Sequence, residues 1–143
     1  MPVTPERGPF RFTYDVSVRF RDLDPMGHAH HSLPLVYIEE ARAAYWRQVA
    51  GRDGLVEIDY VLGQVTMKFL QRIHFPATLS VGLRISRIGN SSFVMEYEIR
   101  DQSGNVLVTA ETVQVMYDYA AGKSKIMPEE IRSRIAAFER ITD

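Results

Sequence analysis

Between residues 65 and 117 the chain carries four runs of alternating apolar and polar residues, joined by links too short to hold a crossover. Val65, Met67 and Phe69 alternate in the first run, Leu79, Val81, Leu83 and Ile85 in the second, and Phe93, Met95, Tyr97 and Ile99 in the third. The fourth, Val106 to Tyr117, is longer and alternates less cleanly. A two-residue period is the mark of a strand with one buried face. The separators are Phe75-Pro76-Ala77, Gly89-Asn90 and Asp101 to Asn105 with Gly104, all of them turn compositions. A parallel crossover needs about a dozen residues or more, so successive strands must pair antiparallel.

A fifth strand stands upstream, where Tyr14, Val16, Val18 and Phe20 alternate with Asp15, Ser17, Arg19 and Arg21. It runs straight into a loop from Asp22 to His31 and then into a helix. Leu33, Val36, Tyr37, Ala41, Ala44, Tyr45 and Val49 recur at spacings of three and four, the apolar stripe of about four helical turns. Ser32 is expected as the N-cap, Pro34 in the first turn and Gly51 as the stop. Glu39, Glu40 and Arg42 are read as the polar face of this helix. A polar link from Arg52 to Tyr60 leads to the four later strands. Gly122 marks another turn, and Pro128, Glu129 and Glu130 open a short terminal helix carrying Ile131, Ile135 and Phe138.

The expectation is an α+β fold in one domain over residues 1–143: strand, loop, long helix, four strands, short helix. One long helix cannot cover both faces of a five-stranded sheet. The uncovered side predicts a homo-oligomer, at least a dimer.

Composition removes several functions. Seventeen basic against eighteen acidic side chains give a net charge of -1, so no overall field draws in nucleic acid or an anionic membrane. The absence of cysteine excludes disulfides, thiolate metal sites and a thiol nucleophile. No stretch reaches the roughly 20 apolar residues of a membrane span, and Met1 to Phe10 lack the apolar core of a signal peptide. A cytoplasmic location is the expectation. No G-x-S-x-G, P-loop or G-x-G-x-x-G occurs, which removes the parts of serine hydrolases, nucleoside triphosphatases and dinucleotide enzymes.

The chemistry is concentrated in the loop before the long helix. Asp24 is followed by Pro25, Met26 and Gly27, a turn composition that presents a carboxylate at the loop edge. The same composition also suits an Asx-turn with no reactive role. His31 stands just before the helix start, where its backbone amide is placed to meet a carbonyl oxygen and its imidazole to stand near Asp24. His28 and His30 are further polar groups on the loop, and Asp22 is a second carboxylate. These residue types could ligate a metal, but their spacing matches no helical two-histidine motif and no later cluster completes a set, so no metal site is expected. His74, beside Phe75, reads as a structural or interface residue.

The run Asp22-Leu23-Asp24-Pro25-Met26-Gly27-His28, then His31, then Glu39-Glu40-Ala41-Arg42, resembles the hotdog-fold acyl-CoA thioesterases of the 4-hydroxybenzoyl-CoA thioesterase and tol-pal-associated YbgC type. The ending, Val113 to Tyr117 and Ile126-Met127-Pro128-Glu129-Glu130, is similar as well. The resemblance implies a long helix wrapped by a curved antiparallel sheet, paired into dimers and often tetramers with active sites between subunits. It places Asp24 on the catalytic carboxylate, as nucleophile or as base for water. His31 falls where the family polarises the thioester carbonyl with a backbone amide, and where the YbgC-like branch carries a histidine. Gly27 falls on the loop glycine, and His28 follows it. Members with a G-H-x-N-N run have asparagine where this chain has His30 and His31, and Pro34 replaces a tyrosine that many relatives carry.

The implied substrate is an acyl-CoA, with no further cofactor. Its phosphates make Arg84, Arg87, Lys123 and Lys125 candidate partners. Tyr37, Tyr45, Trp46, Met67 and Phe69 are equally suited to an acyl pocket or to the core. A module that binds an acyl-CoA or acyl carrier without cleaving it, and a hotdog hydratase or dehydratase, are the alternative readings.

Overall fold

The computed structural model describes residues 10–52 and 58–141. Part of the expected link from Arg52 to Tyr60, and the N-terminal prolines Pro2, Pro5 and Pro9, lie outside the described residues. Strand β1 (Phe12–Ser17) leads through a single tight turn, Phe20–Asp22, to the loop and to helix α1 (Leu33–Gln48). Strands β2 (Tyr60–Phe69), β3 (Thr78–Ile88), β4 (Ser92–Arg100) and β5 (Val106–Asp118) follow, then a two-residue strand β6 (Lys123–Ser124) and helix α2 (Glu129–Glu139).

The sheet runs β1-β3-β4-β5-β2 and every pairing is antiparallel, as the short turns require. The expected five strands gain a sixth, because Gly122 at φ +69° turns the chain back so that β6 pairs with the end of β5. Register shifts at Leu62/Gln64, Ile85/Arg87 and Ile99/Arg100 bend the sheet. It curves around α1, the α+β hotdog architecture expected from the sequence.

Alternation predicts burial well in the middle of the sheet. Leu79, Val81, Leu83 and Ile85 on β3 and Phe93, Met95, Tyr97 and Ile99 on β4 are all buried. Trp46 of α1 stacks on Phe93 with ring centroids 5.3 Å apart, and Tyr45 meets Phe12 of β1 edge-on at 5.2 Å. Ala41 and Ala44 are buried and small, so the helix lies close to the sheet. Helix α2 closes one end of the core, where Glu139 accepts hydrogen bonds from the Tyr45 hydroxyl and from the Ile85 amide.

Four expectations need correction. Phe20 is 78% exposed because the strand ends at Ser17 and the tight turn swings its ring outward. On α1, Val36 is exposed while Ile38 and Trp46, outside the expected stripe, are buried, since the curved sheet covers more than one helical face. Arg42, read as solvated, is 3% exposed for the same reason. On β2, Val65 and Phe69 are exposed although their run alternates like the others. β2 is an edge strand, and among the described residues that part of it is left uncovered.

Candidate functional site

The loop before α1 folds as a small hairpin. Leu23 and Ala29 bridge antiparallel, the Gly27 amide donates to the Asp24 carbonyl at 3.0 Å, and the Asp24 amide donates to the His28 carbonyl at 2.8 Å. Gly27 sits at φ +82°, a conformation that L side chains rarely adopt, so its part is to make this turn. The hairpin is tied down on both sides: Ala29 donates to the Ile73 carbonyl, His30 donates to the Asp22 carbonyl, and His28 bridges His74.

The two carboxylates of the loop separate by environment. Asp22 is buried, and its Oδ2 accepts from the Arg19 amide at 2.9 Å and from the Tyr37 hydroxyl at 2.7 Å. It anchors the loop to α1. Asp24 lines a cleft of about 490 Å³ together with Met26, His28, His31 and Pro34 on the loop side. Phe69 to Ile73 and Val108 form the opposite wall.

Asp24 Oδ1 accepts from the amides of Met26 at 2.9 Å and His28 at 3.3 Å, so the Asx-turn is real. Oδ2 has no partner among the described residues. Desolvation pushes this carboxyl up, but the two amides and the charges of His28 and His30 outweigh it and hold it below its ordinary value of 3.8. The turn thus keeps one oxygen fixed, the group ionised and the other oxygen available.

At the start of α1 the expected Ser32 cap is absent as a side-chain bond. Nδ1 of His30 accepts the Ser32 amide at 3.1 Å and lies 2.9 Å from Ser32 Oγ, while the Leu33 amide donates to the His30 carbonyl. Those contacts engage the neighbouring amides and leave that of His31 without an acceptor among the described residues. The His31 ring lies 4.0 Å from that of His30 on the exposed side of the helix start. An ionised carboxylate and the residue that carries this amide therefore line one cleft at the positive end of the helix dipole.

The structure does not bring Arg84, Arg87, Lys123 or Lys125 to this cleft. Arg84 pairs with Glu96 at 2.6 Å on the outer face of the sheet, and Lys125 pairs with Asp59 at 3.0 Å. Arg87 lies at the β3 bulge and Lys123 on β6. The basic side chain on the cleft wall is Arg72, which sequence reasoning missed because Leu70 to Ile73 breaks the alternation of β2 without a recognisable motif. Tyr37, Tyr45 and Trp46 belong to the core, Met67 packs against it, and Phe69 lines the cleft. His74 meets His28 edge-on at 5.0 Å and so supports the hairpin. Among the described residues, no group of three or more histidine or acidic side chains gathers as a metal site, and no helix is long and apolar enough to cross a membrane.

The profile of the thioesterase-like superfamily matches residues 18–135, from the end of the first strand region to the terminal helix. The chain belongs to that superfamily. This thioesterase is similar to a Thermus thermophilus thioesterase whose crystal structure holds coenzyme A and Zn, with 32% identity, 95% of this chain and 99% of that chain covered, and a TM-score of 0.87. A thioesterase-superfamily protein from a Jannaschia species shares the fold at 22% identity, 99% and 94% coverage and a TM-score of 0.87. A Synechocystis 1,4-dihydroxy-2-naphthoyl-CoA thioesterase shares it at 23% identity, 87% and 95% coverage and a TM-score of 0.77. No curated protein matches. The protein is a thioester hydrolase of the hotdog architecture.

Proposed function

We propose that this thioesterase hydrolyses an acyl-CoA to a free acid and coenzyme A, with Asp24 as the reacting carboxylate. The observation that carries the reading is that one cleft is lined by an ionised Asp24 whose Oδ2 has no partner, and by His31 whose amide has no acceptor, among the described residues. The thioester carbonyl rests against that amide, where charge developing on its oxygen meets a fixed donor and the helix dipole. One such donor is worth about 3 kcal/mol in a dry site, a hundredfold or more in rate. Asp24 Oδ2 then either attacks the acyl carbon, giving an anhydride that water opens, or takes a proton from the attacking water. The pantetheine thiolate leaves and is protonated.

Coenzyme A as the carrier is supported by the Thermus relative, whose structure holds it. Its phosphates lie beyond the reacting carbon, and Arg72, on the cleft wall, is the basic group best placed to receive them. Arg84, Arg87, Lys123 and Lys125 lie away from this cleft and are left out of the proposal.

The working unit we propose is a homodimer. Strand β2 offers ten residues with a free edge, and Leu62, Val65 and Phe69 on it are exposed. Two copies pairing this strand antiparallel about a twofold axis close the edge on itself and wall the cleft, whose lining begins at Phe69.

A panel of acyl-CoA thioesters with free thiol as the readout tests the reading. Thiol release from at least one acyl class supports it. Tight binding of thioesters without thiol release would leave a carrier-binding protein, and conversion of an enoyl-CoA without thiol release a hydratase.

A further inference from the structure

Phe20, at 78%, is the most exposed large apolar side chain among the described residues. It stands in the tight turn that follows β1, between Arg19 and Arg21, both of them exposed. Its ring meets that of Phe75 edge-on with centroids 6.1 Å apart, and Phe75 is itself exposed. The Val18 amide donates to the Ala77 carbonyl at 2.9 Å, so backbone ties together the two segments that carry the rings. This corner is remote from β2. The sheet order puts β1 at the opposite edge, and Phe75 leads into β3, the neighbour of β1. Pairing of two copies along β2 leaves it uncovered.

Among the described residues neither Arg19 nor Arg21 forms an ion pair. Both line a hollow of about 180 Å³ between the turn and α1, whose acidic members are Asp22 and Glu40. Asp22 is buried and already accepts from the Arg19 amide and the Tyr37 hydroxyl. Two exposed arginines therefore face one half-buried carboxylate, Glu40. The corner is locally positive on a chain whose net charge is -1. An apolar tip held between two cations complements a surface that is anionic outside and apolar just beneath.

We propose that the Phe20 and Phe75 corner docks on the surface of an anionic lipid bilayer, with the two rings at headgroup depth and Arg19 and Arg21 against the lipid phosphates. The rings project and line no groove. A fluid lipid surface receives a projecting ring, whereas a folded protein partner would need a pocket shaped to it. Net charge supplies no attraction of its own, so the contact is reversible and confined to this patch. It stands whether or not Asp24 is the reacting group.

The test is sedimentation of the purified protein with vesicles of phosphatidylcholine alone and of phosphatidylcholine mixed equally with phosphatidylglycerol. Binding to the anionic vesicles and not to the neutral ones is expected, weakening as salt is raised. Phe20→Ser, and separately the double substitution Arg19→Gln with Arg21→Gln, should each weaken binding by about tenfold or more. All three side chains are exposed, so the melting transition should stay in place and show that the variants are folded. Equal binding to both kinds of vesicle, or unchanged binding in either variant, would overturn the proposal. Absence of binding to anionic vesicles would also overturn it and leave the corner to an acidic protein. A change of oligomeric state in Phe20→Ser, read by light scattering, would overturn it in favour of a contact between copies.

Discussion

Asp22 and Asp24 stand two residues apart on the same hairpin and do opposite work. The inner side of the loop places Asp22 under the Tyr37 hydroxyl, where both partners are buried and the carboxylate has become part of the scaffold. The cleft side places Asp24 with one oxygen committed to two amides and the other uncommitted. Identical side chains thus divide into a fixing group and the proposed reacting group because one points toward α1 and the other lines the cleft. Asp24 keeps an oxygen available because its own turn, and not the core, satisfies the other one.

Asp24→Asn breaks the comparison most sharply. It keeps the shape and the amide-accepting oxygen but removes the charge, so turnover should fall by about a hundredfold or more, with the melting transition nearly unmoved. Near-normal thiol release from that variant would remove the role assigned to Asp24. Asp22→Ala should do the reverse, lowering stability by about 1–3 kcal/mol because the Tyr37 hydroxyl and the Arg19 amide lose their acceptor. Activity would then follow the loss of folded protein in a denaturant titration. If Asp22→Ala matched Asp24→Asn in activity while remaining fully stable, the division between the two would be wrong.

Titration sharpens the contrast further. Because the Asp24 carboxyl is held below 3.8 in the folded protein, it stays ionised as the pH falls through the usual aspartate range. The stability it adds is present above the unfolded value and disappears only as the pH drops through the lower folded one. A carboxyl-detected NMR titration should therefore find its midpoint below 3.8, and a midpoint above that value would contradict the hydrogen bonding described. The smallest effect is expected from His31→Ala, which keeps the backbone amide. A loss of only a few-fold in kcat, far short of the about hundredfold cost of removing an oxyanion donor, would assign the role to the amide, and a severe loss would assign it to the ring.

Much of the fold is legible in the chain. The alternation of β3 and β4 and the shortness of their turns fix antiparallel pairing whatever surrounds them, and both strands are buried as read. The loop chemistry is equally local: Asp24, Gly27 and His31 meet because they lie within eight residues on one hairpin and helix start. Arg72 is not legible, since it reaches the cleft through the pairing of the chain beyond β2 with Leu107, far away in sequence. Arg42 is hidden for another reason: a helical wheel assigns charge to the outside, and only the curl of the sheet shows that this helix has little outside.

The sequence by itself determined five of the strands, the helices, the direction of pairing and the turn that presents Asp24, because each follows from contacts within a few residues. The tertiary structure alone decided which side of α1 is covered, that β2 is an edge strand of the sheet, and that the Arg42 guanidinium lies buried. These depend on how a bent sheet closes around a helix, and a bend accumulates over residues too distant for any local pattern to record.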